Sequence, residues 1–194
     1  MVRSFSARPV DPAVLDAIVT ASTAAPTAGN SGGWDAVVLE GPGQTGAFWE
    51  ATTTEDWRAR SRRWPGLCAA PVVVALFSDP AAYVDRYREP DKADKAAGAD
   101  LGDGPEAWPV PYWFVDAGFA VMTLLLGAVE HGLGACFLGN FRGEAALGAA
   151  LGIPAGHRYV GAVLIGEPGG DDPPSSSLAR ARRPRSAMVH RGRW

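Results

Sequence analysis

The sequence predicts an α+β domain of three layers, in which helices cover the faces of a central sheet. Short Val-rich apolar runs closed by Gly or Pro are typical of strands, and segments with apolar residues at helical spacing alternate with them. A chain of 194 residues with 47% hydrophobic composition suits one domain with a sizeable core. We therefore predict a single domain over residues 1–194.

The first half of the sequence clearly predicts one helix and two strands. Asp11 can cap a helix that has Pro12 at its first position, and Pro26 ends it. The runs "DAVVLEGPG" (35–43) and "APVVVALFSDP" (70–80) then predict two strands.

The second half of the sequence predicts one long helix, two strands and a short helix. Residues 112–134 form the long helix, which is apolar on nearly every face from 115 to 129, so we expect it to be buried on all sides. A second subunit would make that burial easier. The runs "GACFLG" and "YVGAVLIGEP" predict strands, and "GEAALGAALGIP" predicts the short helix between them.

Two segments differ from the rest in composition. Residues 84–111 are poor in aliphatic side chains and rich in charge, Gly and Pro, so we expect a surface excursion that acts as a lid. Residues 169–194 comprise a linker, "GGDDPPSSS", and a basic arm with six arginines and no acid in its last 17 residues. The positive charges of the arm require either an anionic partner or exposure to solvent.

The net charge and the apolar runs of the sequence argue against several classes of partner. The net charge of −3 gives no overall attraction to nucleic acid or anionic lipid. The N-terminus lacks an apolar signal region, and the longest apolar run contains Asp116 and falls short of the ~20 residues of a membrane span. Cys68 and Cys136 lie in apolar settings far apart, so we expect buried free thiols. The expectation is a cytoplasmic protein with neither nucleic-acid nor membrane partners.

Side-chain chemistry is sparse. The three histidines have no Cys, Asp or Glu at metal-ligand spacing, and neither G-x-S-x-G nor H-E-x-x-H occurs. We therefore predict no metal site and no catalytic side chain. A redox cofactor explains this pattern, because the cofactor carries the hard chemistry and the protein binds and orients it.

Glycines and arginines offer what a phosphorylated flavin needs. We expect Gly132 to cap the long helix and Gly134 to allow close packing. Gly139 and Asn140 follow a strand and could place backbone N–H groups against a flat ligand. Arginines at both ends of the chain could hold a phosphate, whereas we interpret the cluster of Arg58, Arg60, Arg62 and Arg63 as a solvated surface, and the tail arginines could equally be one.

Several segments together resemble the nitroreductase family of FMN-dependent oxidoreductases. "RSFSARPV" followed by "AAPTAGNSGGW" follows the family's opening course, and "DAGFAVMTLLLGAVEHGLGACFLGNF" is similar to its long helix and next strand. "LGIPAGHRYVGAVLIGEP" and "RARRP" resemble its last strand and basic tail motif. The resemblance implies a mixed sheet flanked by helices, in an intertwined homodimer with two FMN sites at the subunit interface.

The resemblance also implies which residues bind FMN. Arg3 matches the later Arg of the opening motif. The turn residues Pro26, Thr27, Gly29 and Asn30 match the segment at the flavin ring and ribityl chain, and Leu138, Gly139 and Asn140 match the segment beside the reactive edge. Arg180 and Arg182 match the tail cations at the phosphate, and Arg183 could substitute for either of them.

Two departures from the family pattern affect this expectation. No Arg-Arg-Ser precedes Arg3, so we expect this form to bind FMN loosely, either because it starts at an internal Met or because the motif is lost. Gly32 and Gly33 replace Gln-Pro, which predicts a roomier pocket.

The expected activity is hydride transfer from NAD(P)H through flavin N5 to a nitro compound, quinone or enone by a ping-pong mechanism. Trp108, Tyr112 and Trp113 could form an aromatic wall over the ring, although ordinary core packing is an alternative for Trp113. A specialised biosynthetic flavin dehydrogenase that does not use NAD(P)H remains an alternative activity. The other is a flavin- or deazaflavin-binding protein without turnover.

Overall fold

Four strands form one sheet with the order β1-β2-β4-β3, in a computed structural model that describes residues 1–93, 100–139, 142–170, 172 and 174–194. The strands are β1 (Trp34–Glu40), β2 (Val72–Ser78), β3 (Gly134–Leu138) and β4 (Arg158–Gly166). Each lies where the sequence predicts a strand. All three pairings are antiparallel, whereas the family resemblance implies a mixed sheet. A parallel pair would need a strand beyond these four.

Eight helices in the described part of the chain surround this sheet. They are α1 (Pro12–Thr23), α2 (Gly41–Thr52), α3 (Glu55–Arg60), α4 (Trp64–Cys68), α5 (Pro80–Arg88), α6 (Pro90–Ala93), α7 (Tyr112–Glu130) and α8 (Glu144–Leu151). As predicted, Asp11 caps α1 by accepting the Ala13 N–H at 2.8 Å. Gly132 and Gly152 end α7 and α8 with left-handed backbone, at φ of 73° and 68°.

Alternation along β2 divides the core into two layers. Its odd-numbered members Val73, Ala75 and Phe77 face a cluster that includes side chains of α2, α4 and α8. The even-numbered positions 72, 74 and 76 face α1 and α7 instead. Both faces of the strand are buried, as expected for a central strand between two helical layers. The predicted three-layer α+β fold is confirmed.

The long helix α7 corrects one expectation. Its buried face packs against α1 and the sheet, but its opposite face is exposed in the single chain. The exposed apolar side chains of this face are Phe114, Phe119, Met122, Leu126 and Val129. By length and composition α7 could cross a membrane, as could no other helix in the described residues, but a core helix passes the same test. The prediction that α7 is buried all round is therefore wrong for one chain.

The segment 84–111 also differs from a purely exposed excursion. Trp108 is buried against Tyr83 and Trp113, with ring centroids about 6 Å apart, and its indole N–H donates to the Leu101 carbonyl. Burial of these large rings anchors both ends of the segment. Residues 94–99 lie outside the described part, so the lid assignment stays a prediction.

Candidate flavin site

A cavity of about 580 Å³ opens at the end of β3, beside Leu138 and Gly139. It lies where α2 ends and α8 begins, and most of its wall is apolar. The described residues that line it are Trp49, Ala51, Thr52, Thr53, Thr54, Trp57, Leu67, Leu138, Gly139, Arg142 and Gly143. Its size lies within the ~300–1,000 Å³ of typical ligand pockets, which is large enough for a flat ring system.

A ladder of tryptophans builds one wall of this cavity. Trp49 packs edge to face on Trp64, which packs on Trp57, at centroid distances of 5.3 and 5.8 Å. Arg58 ties the ladder together by donating to the Trp49 carbonyl and the Thr53 hydroxyl at 2.9 and 2.8 Å. Its guanidinium also lies 5.1 Å from the Trp64 ring centroid. Arg58 is thus part of the structure, and its assignment to a solvated surface is wrong.

Polar groups at the cavity could bind ring heteroatoms. The Trp49 indole N–H has no acceptor among the described residues, but it is fully buried and not open to the cavity. Arg142 is exposed at the cavity. Gly139 is exposed at the mouth with no side chain to cover its backbone. Apolar walls with a few donors fit an isoalloxazine ring, so the residues present fit FMN.

The start of the chain runs beside the strand that leads to this cavity. The Val2 N–H donates to the Ala135 carbonyl at 3.0 Å, and Val2 packs so closely on Gly134 that an added Cβ there would lie 2.9 Å from it. This confirms the close packing predicted for Gly134. Burial raises the pKa of the Cys136 thiol, and the charge of Arg3 opposes that rise. Since Val2 is bonded to Ala135, Arg3 follows it beside the first residues of β3.

A second cavity, of about 760 Å³, lies at the other end of α4. The described residues that line it are Ser4, Phe5, Arg62, Pro65, Gly66, Gly170, Asp172 and Pro174. Sequence reasoning missed Arg62, which carries the positive charge of this cavity, because a run of arginines with no motif gives no signal of which one faces a cleft. Asp172 lies nearby and accepts the Arg3 N–H at 3.0 Å.

The predicted turn, residues 26–30, is a preformed loop at another place. Gly29 and Asn30 both have left-handed backbone, with φ of 65° and 58°, and the Thr27 hydroxyl accepts the Gly32 N–H at 3.0 Å. Pro26 and Asn30 are exposed. Neither described cavity includes a residue of the turn in its lining, so within one chain the structure does not bring the turn to Leu138 and Gly139.

The tail cations are exposed and separate from the other site residues. Arg180, Arg182 and Arg183 all lie on the surface, and the Arg183 guanidinium donates only to the nearby Ala187 carbonyl among described contacts. No hydrogen bond or ion pair found among the described residues joins any of them to Arg3. The remaining predicted residue, Asn140, lies outside the described residues.

The proposed aromatic wall is not at this cavity. Trp108 and Trp113 are buried in a cluster with Tyr83, whereas Tyr112 is 42% exposed. Both tryptophans thus serve core packing next to the turn, as the alternative interpretation of Trp113 holds. Within the described residues, no group of three or more His, Cys, Asp or Glu could hold a metal ion.

The chain is similar to known proteins both in sequence and in fold. A family model described as "Nitroreductase family" matches residues 1–167. Solved structures with the same fold include a nitroreductase family protein from Streptococcus pneumoniae, 22% identical with a TM-score of 0.67, covering 98% of this chain and 94% of that one.

Two further structures show the same fold at lower identity. A candidate NADH oxidase from Clostridium acetobutylicum is 18% identical with a TM-score of 0.66, over 100% of this chain and 95% of that one. A candidate nitroreductase from Exiguobacterium sibiricum, solved in complex with FMN, is 18% identical with a TM-score of 0.69, over 97% and 91%. These likenesses support the α+β fold.

Proposed function

Because the chain belongs to the nitroreductase family, we propose that it is an oxidoreductase that binds FMN and takes electrons from NAD(P)H. The observation that carries the proposal is the apolar cavity at Leu138 and Gly139 within the segment that the family model covers. Bound FMN would supply hydride transfer at N5, in a ping-pong cycle, from NAD(P)H to an electron-poor nitro compound, quinone or enone.

The residues of the cavity would bind and orient the ring. Trp49, Leu67 and Leu138 provide an apolar wall that removes the ring from water. The exposed backbone of Gly139 offers a donor, and Arg142 places a positive charge at the cavity. No side chain of the site need act as a nucleophile.

The arginines would hold the phosphate. Arg3 lies beside β3, and Arg180, Arg182 and Arg183 belong to an exposed arm that makes no described side-chain contact with the rest of the chain. Guanidinium groups bind phosphate through charge-assisted, often bidentate hydrogen bonds. We propose that the arm folds onto the phosphate when FMN binds.

We also propose that the functional unit is a homodimer. The exposed apolar face of α7 needs a cover, and the turn at residues 26–30 lies away from the Leu138 cavity of its own chain, which suits a site completed by a second copy. Light scattering should give twice the 20.3 kDa chain mass. Leu126→Asp should lower that mass and weaken FMN binding together, while Ala145→Asp, at an exposed position of α8, should change neither. A folded wild-type monomer would refute the dimer.

Reduction kinetics test the proposed activity. Stopped-flow mixing with NADH or NADPH should bleach the flavin absorbance, and a quinone should then restore it and support turnover. A flavin that neither nucleotide reduces would indicate a dehydrogenase with another donor. Bleaching without quinone turnover would indicate a binding protein. We place the enzyme in the cytoplasm, since Cys68 and Cys136 are both free thiols.

A further inference from the structure

The turn from Thr27 to Gly33 is held by partners that lie far away in the sequence. Gly29, Asn30 and Gly32 all have left-handed backbone, with φ of 65°, 58° and 62°. Such a run is unfavourable for an isolated chain, above all at Asn30, which has a side chain. The surrounding structure must therefore fix this shape.

Asp116 provides the central contact. It lies on the buried face of α7, with 2% of its surface exposed, and its carboxylate accepts the Ala28 N–H at 2.7 Å and the Tyr83 hydroxyl at 2.8 Å. No ion pair of Asp116 is found among the described residues. A buried carboxylate is costly without hydrogen bonds, so these two donors and the acid depend on each other.

Tyr83 connects the same carboxylate to the second half of the turn. Burial is the largest cause that raises the pKa of Tyr83, and the hydrogen bond to Asp116 is the next, so the hydroxyl keeps its proton and donates. The Tyr83 ring also lies against Gly33, where an added Cβ would come within 2.4 Å of it. Two points of the turn, at residues 28 and 33, are thus fixed through one acid.

A third contact comes from α5. The Arg86 guanidinium donates to the Gly29 carbonyl at 2.8 Å, and its two terminal nitrogens bind Asp91, with Glu89 also in contact. With the inner side of the turn held in this way, the exposed Asn30 side chain and Pro26 are left on the outer side. The turn is preorganised before any ligand arrives.

We propose that Asp116 is a positioning residue for flavin binding, which acts by holding the Thr27–Gly33 turn in its ligand-binding shape. The inference rests on the proposed function, because it takes the turn to be part of the FMN site. Asp116 does not touch the flavin. Its effect passes through the Ala28 N–H and through Tyr83.

Substitutions at both partners test the proposal. Asp116→Ala removes both hydrogen bonds, and Tyr83→Phe removes only the hydroxyl. Both donors bond to the same carboxylate oxygen, so Asp116→Asn keeps an acceptor for them but replaces a charged oxygen by a neutral and weaker one. Asp16→Asn, at an exposed position of α1, removes a charge without touching the turn. FMN affinity should fall about tenfold or more in Asp116→Ala, by less in Asp116→Asn and Tyr83→Phe, and remain unchanged in Asp16→Asn.

Hydrogen exchange of the flavin-free protein separates local positioning from general destabilisation. The Ala28 amide should exchange faster in Asp116→Ala and Asp116→Asn, while amides of the central strand β2 keep their protection. At saturating FMN, kcat should return to the wild-type value, because the variants change occupancy and not the reacting groups. If Asp116→Ala were unfolded, Asp116→Asn and Tyr83→Phe would carry the test.

The outcomes are distinguishable. Faster exchange at Ala28 with unchanged FMN affinity would overturn the positioning role and leave the proposed function intact. Equal exchange at Ala28 in all variants would overturn it as well. A wild-type protein that binds no FMN would refute the proposed function and the inference together.

Discussion

Thr27, Gly29 and Asn30 of the Thr27–Gly33 turn and three arginines of the arm from residue 178 to 194 are assigned to FMN by family resemblance, yet the two segments differ in how far each is formed in the single chain. The turn is fixed by Asp116, Tyr83 and Arg86. The arm exposes its arginines and also large apolar side chains, among them Trp194 at 94%. A ligand would meet a preformed turn but would have to draw in the exposed arm and fix its side chains, which costs conformational entropy.

Removal of the arm should produce the largest change in binding with the smallest change in stability. A chain that ends at Ser177 should bind FMN at least about a hundredfold more weakly, because two charge-assisted hydrogen bonds of about 1.5–3 kcal/mol each are lost. Its free energy of unfolding should change by less than about 0.5 kcal/mol, as for other exposed segments. Fluorescence titration and urea unfolding measure the two quantities.

A chain shortened only by residues 191–194 is the control for this deletion. It keeps Arg180, Arg182 and Arg183 and should bind FMN as the full chain does. If the chain ending at Ser177 retained full affinity, the phosphate would be held elsewhere, and Arg62 in the second cavity would be the next residue to test.

A substitution in the turn, unlike removal of the arm, should lower the free energy of unfolding. Gly33→Ala would place a Cβ 2.4 Å from the Tyr83 ring, and such overpacking costs about 1–3 kcal/mol. Both the free energy of unfolding and FMN affinity should fall. Gly46→Ala in α2, where an added Cβ meets nothing within 4 Å, should instead stabilise by about 0.5–1 kcal/mol. Equal stability of the two variants would show that the turn is not closely packed.

A single arginine of the arm should have the smallest effect. Arg182→Ala should weaken FMN binding by about tenfold at low salt, and by less at high salt, where charge interactions are screened. Arg193→Ala is a matched control outside the predicted phosphate ligands. Identical affinities across a salt titration would argue that neither arginine meets the phosphate.

The sequence predicts the two regions unequally, for physical reasons. Helix α1, its Asp11 cap and the four strands follow from local periodicity and capping. The support of the turn does not, because Asp116 lies 88 residues from Ala28, and a single acid in an apolar helix gives no sign of which backbone amide it meets. The burial of Trp108 is likewise not predicted by local pattern, because the segment around this ring is poor in aliphatic residues.

The candidate site is also only partly predictable from the sequence. Leu138 and Gly139 were identified by resemblance and do line a cavity, but the Trp49, Trp57 and Arg142 side chains that complete it come from elements without a motif. The composition of α7 predicts a helix that is apolar on nearly every face, but which side stays exposed depends on how the helix packs against α1 and the sheet. Tertiary contacts of this kind carry no local sequence signal.

The identity and amount of bound flavin test the central claim most directly. Protein purified from a flavin-replete host, or reconstituted with flavin, should absorb near ~450 nm, and chromatography of the released cofactor should show FMN at one molecule per chain. Recovery of FAD, or of no flavin after reconstitution, would contradict the account.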